Sequence, residues 1–400
     1  MKSQDEIKEI KTKLQYGFLN LWAEQYQCQG TGIFATGVGK TRIGVIAACE
    51  YIRRSDYTER SLILTPTETL RDNEWPNEIR KWGYEDCLPY VTIECVQTAY
   101  KWRNKTFNTI VADEVHKMLS SLYSKVFIYN KFERRLGLSA TIDSKAEKEK
   151  LSKFKIPIIY EYDFNQAAKD GILPPYEAYN LGVELNSEER ELYDDYSHRI
   201  KKLSIELSVQ YPTLSPFQAA DMLSKGKLNA KHKALGFAFY KYASLRKQIV
   251  SSAASKFEAL LDLSEFFSQP IIIFGEYTDF CNAATEALGN QAVAYHSNIG
   301  KKERNLALEQ FRNGEKRILV SAKALNAGVN IPSVEVGIAA AGTSKNLDDT
   351  QRRGRILRPA EGKKAYYINL YCLDTVEKDW ASKRRAGKPL KWIRSIDEIK

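Results

Sequence analysis

The sequence has few of the residues that build zinc sites and disulfide frameworks. Its 400 residues include six cysteines and four histidines, and no two cysteines form a C-x-x-C pair. Structural zinc needs clustered Cys and His ligands, and small secreted folds need paired cysteines. The pattern therefore predicts neither kind of site and favours reduced thiols in a cytosolic compartment.

Long apolar runs are missing as well. No stretch of about 18 apolar residues occurs, so we expect no transmembrane helix. Residues 1–6 (MKSQDE) are charged and lack the apolar core of a secretory signal peptide. We therefore expect a cytoplasmic protein with no membrane partner.

Positive charge, by contrast, is in surplus. The chain has 60 Lys and Arg against 50 Asp and Glu, a net charge of +10. A surplus of this sign favours a polyanionic partner such as nucleic acid, although many basic proteins bind none. The 43% hydrophobic and 11% aromatic content is that of folded globular protein, and the length suggests two or three domains.

One stretch, residues 34–41 (FATGVGKT), has the pattern of a phosphate-binding loop. A short apolar run precedes it and a helical pattern follows it, so backbone N–H groups at a helix N-terminus would face the bound anion. The strict motif places glycine where Phe34 stands, and a chance Gly-Lys-Thr turn is the alternative from this stretch alone. The residues expected to hold nucleotide phosphates are Thr36, Gly37, Gly39, Lys40 and Thr41. The Thr41 hydroxyl would also hold Mg²⁺.

Short apolar strands alternate with helical patterns through the first third of the chain. This spacing predicts a doubly wound parallel sheet, whose ligands bind beyond the carboxyl ends of the strands. Asp113 and Glu114 end one of these strands, which we expect to lie next to the phosphate-loop strand. Paired carboxylates there suit NTP hydrolysis, with Asp113 holding Mg²⁺ and Glu114 activating the attacking water. The alternative is a solvated turn.

The order of the motifs resembles that of superfamily 2 helicases and translocases. In the first half, the matching stretches are ATGVGKT (35–41) for motif I, LILTPTETLRDNEW (62–75) for motif Ia, DEVH (113–116) for a DExH-type motif II and GLSAT (137–141) for motif III. In the second half they are PIIIFG (270–275) for motif IV, ALNAGVNIP (324–332) for motif V and QRRGRILR (351–358) for motif VI. Motif I of this superfamily often lacks the first glycine, which accounts for Phe34.

The resemblance implies two RecA-like doubly wound parallel-sheet domains, with ATP and Mg²⁺ bound between them. We place the first domain at 1–160, a linker and basic helical insertion at 161–256, and the second domain with a basic C-terminal tail at 257–400. Arg355 and Arg358 would reach the γ-phosphate from the second domain, with Gln351 nearby. Their charge would stabilise the transition state only when the cleft is closed.

The resemblance also implies roles for further residues. Gln15 would recognise adenine, although the usual preceding arginine is absent and Gln25, Gln27 or Gln29 are alternatives. The residues expected to couple nucleotide state to the nucleic-acid groove are His116, Ser139, Thr141 and Gly328. The candidate contacts to the nucleic-acid backbone are Thr65, Gln97, Thr98 and Asn326.

Several phrases, among them GILPPY (171–176), resemble phage UvsW-like DNA helicases more than DEAD-box RNA proteins. That likeness implies a DNA helicase or translocase acting on single-stranded, duplex or branched DNA in recombination or repair, in the host cytoplasm if a phage encodes it. Two alternatives stay open: an RNA helicase of the same fold, and a motor that moves along double-stranded DNA for a partner nuclease without unwinding. The sequence names no protein partner.

The segment 164–256 fits neither predicted sheet. Its patterns predict long helices over 187–209 and about 233–252. Between residues 199 and 256 there are eleven Lys and Arg and two acidic residues, with aromatic residues interleaved. Such an arm would cover phosphates and stack on unpaired bases; the alternative is that the aromatics form its own core. The expected contacts here are Lys233 and Lys241.

Overall fold

The computed structural model describes residues 3–142, 144–174, 176–322, 334–341, 352–353, 356, 364–383 and 390–400. The described chain forms two β-sheets, one of six strands and one of seven, with every strand pair parallel. In the first sheet helices connect successive strands, as parallel pairing requires. The predicted class, two parallel-sheet α/β domains, is confirmed.

The first sheet has the strand order β3-β2-β4-β5-β1-β6. Its strands are β1 (Gln29–Phe34), β2 (Ser61–Thr65), β3 (Val91–Cys95), β4 (Thr106–Asp113), β5 (Lys131–Ser139) and β6 (Ile158–Tyr162). The helices of this half are α1 (Gln4–Asn20), α2 (Lys40–Arg54), α3 (Trp75–Lys81), α4 (Val96–Ala99), α5 (Lys125–Tyr129), α6 (Lys145–Lys153) and α7 (Phe164–Lys169). A Ser3–Glu6 capping box starts α1.

The strand that ends at Asp113 does not lie next to the phosphate-loop strand, so that expectation was wrong. β5 lies between β4 and β1 and pairs with both. In this register Asp113 is opposite Leu138, and Ile33 is opposite Ser139. The three strands therefore end at the same edge of the sheet, with β4 and β1 about 10 Å apart.

The second sheet has the strand order β13-β7-β12-β11-β8-β10-β9. Its strands are β7 (Tyr176–Val183), β8 (Ile271–Gly275), β9 (Ala292–Tyr295), β10 (Ile318–Ala322), β11 (Val336–Ala339), β12 (Ala365–Cys372) and β13 (Lys391–Ile393). The helices around it are α11 (Ala254–Phe266), α12 (Thr278–Leu288), α13 (Lys301–Arg312) and α14 (Val376–Lys383). None of the helices in the described ranges combines the length and apolar composition needed to cross a membrane.

One strand of the second sheet comes from the segment expected to fit neither sheet. β7 pairs with β12 along its whole length, from Tyr176 opposite Ala365 to Val183 opposite Cys372. The segment therefore contributes to the second sheet before the helical insertion begins. The local sequence did not signal this pairing because the partner strand lies nearly 190 residues away.

The helical insertion consists of α8 (Ser187–Gln210), α9 (Pro216–Ser224) and α10 (Lys233–Ser251). Asn186 caps α8 through a box with Glu189, which confirms the predicted start of this helix. The three helices bury a small core of their own, which contains Ile200, Leu207, Ala219, Ala220, Leu223 and Phe239. Among the interleaved aromatics, Phe239 is buried in this core, whereas Phe237 is 53% exposed.

A buried ion pair fixes α11 to α14, and a hydrogen bond from α14 fixes the insertion beside it. The Lys256 Nζ donates to both carboxylate oxygens of Glu377, at 2.9 and 2.8 Å, and both side chains are buried. Glu377 also accepts the backbone N–H of Cys372, at 2.9 Å. The Tyr193 hydroxyl on α8 accepts the Val376 N–H, at 2.7 Å. The insertion is therefore attached to β12 and α14 by directional bonds.

Candidate active site

The phosphate loop lies between β1 and α2, as predicted. Gly37 and Gly39 have φ angles of 89° and 97°, in the left-handed region that favours glycine. Gly39 precedes the first residue of α2, and no side chain caps this helix. The first N–H groups of α2 are therefore available to an anion, and the helix dipole favours negative charge there.

Gln15 is buried against this loop. Its Nε2 donates to the Val38 carbonyl at 2.7 Å, and its Oε1 accepts from the Arg42 guanidinium at 2.9 Å. A Cβ at Gly39 would lie 2.4 Å from the same Nε2. Gln15 thus braces the loop with both ends of its amide. Of the alternatives, Gln25 and Gln27 are exposed and Gln29 lies within β1.

The acidic pair lies opposite the loop lysine. Lys40 Nζ is 3.4 Å from Glu114 Oε1, and both side chains are largely buried. Burial alone would raise the pKa of Glu114, but the nearby Lys40, His116 and Lys117 together outweigh it and the pKa lies below its usual value. Burial and the neighbouring Glu114 raise the pKa of Asp113. Glu114 is therefore the more readily ionised member of the pair.

A relay of hydrogen bonds joins motif II to motif III. His116 Nδ1 lies 2.9 Å from the Ser139 hydroxyl, which donates to the Thr141 carbonyl at 2.8 Å. Because the hydroxyl proton is used there, the imidazole donates from Nδ1 and its Nε2 is an acceptor. Burial lowers the pKa of His116, so the ring is neutral at pH 7. The structure thus brings His116, Ser139 and Thr141 together.

The residues at this edge fit a magnesium–nucleotide complex. Within the described ranges, no group of three or more His, Cys, Asp or Glu is arranged to hold a metal by itself. Mg²⁺ typically takes one or two carboxylates together with substrate phosphates, and the Asp113 carboxylate and the Thr41 hydroxyl are the donors for that arrangement. The buried Glu114 Oε2 has no hydrogen-bond partner among the described residues, and His116 Nδ1 lies 3.4 Å from it.

The residues predicted to contact nucleic acid differ in their exposure and in their hydrogen bonds. Thr65 is fully buried and its hydroxyl donates to the Thr67 carbonyl, so a phosphate contact by this side chain is not supported. Gln97 Nε2 donates to the Pro66 carbonyl at 2.9 Å, which stabilises the same turn. Thr98 is exposed beside it. Lys233 and Lys241 are both exposed on the insertion, as are Lys201, Lys202, Lys225, Lys227 and Lys231.

Five predicted residues lie outside the described residues: Gln351, Arg355, Arg358, Asn326 and Gly328. Two other arginines of the motif VI stretch are described and buried. Arg352 donates to the Ala341 carbonyl at 2.7 Å, and the Arg353 guanidinium lies 5.0 Å from the Tyr367 ring centroid. These two side chains pack inside the second domain.

Sequence reasoning missed two side chains at the site, of which the first is Trp75. Its indole Nε1 donates to Asp113 Oδ2 at 3.3 Å, and the side chain is fully buried. The one available signal was its position as the last residue of the stretch that resembles motif Ia. It also missed Arg42, which holds the Gln15 amide.

Two family models match the chain. Residues 3–144 match the model described as type III restriction enzyme, res subunit, and residues 255–360 match the helicase conserved C-terminal domain. Together with the two parallel-sheet domains and the phosphate loop, these matches support a helicase of superfamily 2. The chain is an ATP-hydrolysing enzyme, as predicted.

The proteins similar to this chain include one named as a translocase and one named as a helicase. The chain is 27% identical over 372 residues to "DNA 3'-5' translocase XPB2" of Sulfurisphaera tokodaii, covering 89% of this chain and 81% of the relative. It is 22% identical over 387 residues to "DNA 3'-5' helicase XPB" of Kineococcus radiotolerans, covering 89% of this chain but only 59% of that relative. The Pyrococcus furiosus Hef helicase domain has the same fold, with a TM-score of 0.57 and 16% identity, covering 91% of this chain and 97% of that domain.

Proposed function

We propose that this protein is an ATP-dependent DNA helicase or translocase that remodels branched recombination or replication intermediates. The observation that carries the proposal is the set of contacts at one sheet edge, where Lys40 meets Glu114 and His116 is bonded to Ser139. These contacts join the hydrolytic groups to motif III. The names of the two relatives favour DNA as the nucleic acid.

Each proposed role follows from the chemistry of phosphoryl transfer. Lys40 and the amides of the loop would bind the phosphates of ATP, and Thr41 and Asp113 would hold Mg²⁺. Mg²⁺ would neutralise the charge that develops on the phosphates. Glu114, kept ionised by Lys40, would orient and deprotonate the attacking water. The arginine fingers and their neighbour would be Arg355, Arg358 and Gln351.

Movement along DNA would come from contacts to phosphates, which carry no sequence information. The exposed Lys233 and Lys241 of the insertion and the turn at Gln97 and Thr98 would supply part of these contacts, with Asn326 and Gly328 from motif V. Closing and opening of the cleft would then shift the protein along the strand, independently of its sequence.

The test is steady-state ATP hydrolysis with no nucleic acid, single-stranded DNA, duplex DNA, a four-way junction or single-stranded RNA. We expect stimulation by DNA that is greatest with the junction. Glu114→Gln should abolish turnover under all conditions and leave DNA binding intact, since its amide cannot deprotonate water. The matched control is Glu24→Gln, an exposed glutamate of the same domain.

Three outcomes would contradict parts of the proposal. Stimulation by RNA alone would reverse the choice of nucleic acid, because contact with the 2′-hydroxyl distinguishes RNA from DNA. Turnover of Glu114→Gln near that of the Glu24→Gln control would refute the site. An ATP hydrolysis rate that is the same under all five conditions would refute a nucleic-acid motor.

A second candidate is a translocase that moves on duplex DNA without separating the strands, for example for a partner nuclease. The word "translocase" in the name of the Sulfurisphaera tokodaii relative favours it. Triplex displacement without strand separation would support this candidate, whereas strand separation would support the first.

A further inference from the structure

Trp75 joins the helix after the phosphate loop to the carboxylate of Asp113. A Cβ at Gly44 of α2 would lie 2.6 Å from the Cη2 atom of Trp75 and 3.1 Å from Val111 on β4. The ring is therefore pressed against α2 where that helix crosses β4. From this position the indole N–H reaches Asp113 Oδ2, at 3.3 Å.

We infer that Trp75 is a positioning residue for the magnesium-binding carboxylate. The inference rests on the proposed function, in which Asp113 is the Mg²⁺ ligand. A carboxylate has a broad torsional preference about its last bond, so packing alone fixes its oxygens poorly. The indole N–H binds Oδ2, and this bond would hold the carboxylate in one orientation and leave Oδ1 for Mg²⁺.

The indole is itself held rigidly, which makes it suited to this task. Trp75 is fully buried and begins α3, so neither its backbone nor its ring has room to move. Partners that orient a metal ligand in this way typically contribute about 10- to 100-fold to metal affinity. Loss of the N–H donor should therefore weaken the magnesium-dependent part of nucleotide binding and spare the rest.

Trp75 also gives the segment between β2 and α3 a direct contact with the site. The same segment begins with the turn in which Thr65 donates to the Thr67 carbonyl. It ends at the indole that binds Asp113. One continuous stretch of about ten residues therefore connects this turn to the carboxylate of Asp113.

The test compares Trp75→Phe with Trp22→Phe. Trp22 is a matched control because it is 1% exposed and its indole donates to the Arg135 carbonyl at 3.0 Å, away from the site. The readout is equilibrium binding of a fluorescent ADP analogue with Mg²⁺ and with EDTA. We expect Trp75→Phe to reduce the ratio of the two affinities by about 10-fold or more, with the affinity in EDTA unchanged. Trp22→Phe should keep the ratio of the unaltered protein.

A second variant separates positioning from packing. Site-specific replacement of Trp75 by benzothienylalanine exchanges the N–H for sulfur and keeps the bicyclic shape. It should lower the affinity ratio as Trp75→Phe does, at an unchanged thermal unfolding midpoint. An unchanged ratio in this folded variant would overturn the inference. If the unaltered protein itself showed no effect of Mg²⁺ on ADP binding, the proposed function would fail, and this inference with it.

Discussion

Ser139 is the residue through which motif II contacts motif III. Its hydroxyl accepts from His116 and donates to the Thr141 carbonyl. Ser139→Ala would remove both bonds without touching Lys40 or Glu114. We expect basal ATP hydrolysis to stay within about threefold, and strand displacement per ATP hydrolysed to fall about tenfold or more, equivalent to about 1.4 kcal/mol of lost coupling.

The matched control for this substitution is Ser61→Ala. Ser61 is a buried strand serine of the same sheet whose hydroxyl donates to the Ala48 carbonyl at 2.6 Å. The measurement pairs a coupled ATPase assay with a strand-displacement assay on the same preparation. Equal displacement per ATP in the two variants would show that the relay does not couple the motifs.

Gly39 combines backbone strain with a close contact, and the two effects can be separated. An alanine there would have to adopt a φ near 97° with its Cβ 2.4 Å from Gln15 Nε2. Gly83 has a similar φ of 78° but open space around it. We expect Gly83→Ala to lower the free energy of unfolding by about 1–2 kcal/mol with normal ATP binding. Gly39→Ala should in addition weaken ATP binding, because Gln15 must leave the loop; an ATP affinity equal to that of Gly83→Ala would refute this.

The ion pair between α11 and α14 gives a prediction about stability. Lys256→Met would leave the buried Glu377 carboxylate without its cation, at a cost of about 3–5 kcal/mol in the free energy of unfolding. The double variant Lys256→Met, Glu377→Gln should recover most of that loss, since the amide oxygen still accepts the Cys372 N–H. Urea unfolding measures both. The control is Lys225→Met, which breaks an exposed pair with Asp221 and should have little effect; a double variant no more stable than the single one would contradict the account.

The local elements were predictable because their signals are local. The helical pattern over 187–209 predicted α8, and the glycines predicted the phosphate loop. The features that were missed depend on contacts distant in sequence. The partner strand of β7 is far along the chain, and the bond from Trp75 to Asp113 spans 38 residues. The prediction that β4 lies next to β1 was wrong for the same reason, because β5 lies between them.

The residue types of the site were predictable from the sequence, but the burial and contacts of each side chain were less so. Lys40, Asp113, Glu114 and His116 belong to short motifs with a fixed chemical purpose, so their identity follows from the sequence. Whether a side chain is exposed depends on the packing of the whole domain. Thr65 shows this: the family resemblance suggested a phosphate contact, but the surrounding core buries the side chain.

The net charge of the whole molecule gives information about its binding partner rather than about its fold. The net charge of +10 is consistent with a polyanion, and the insertion carries a large share of the surplus on an arm that is bonded to the second sheet. Phosphates contacted by this arm would release counterions, so DNA affinity should fall steeply with salt. The exposed Lys233 and Lys241 are the side chains with which to test this.

We therefore expect the double variant Lys233→Ala, Lys241→Ala to bind single-stranded DNA more weakly at low salt. The slope of log affinity against log salt should become shallower by about 1–2, since each lost phosphate contact removes about 0.7. The control is Lys8→Ala, Lys13→Ala, which removes the same charge from exposed positions on α1. Fluorescence anisotropy over a salt series measures both. Equal slopes in the two variants would assign the loss to overall charge, whereas a shallower slope in the insertion variant alone would place DNA on the arm.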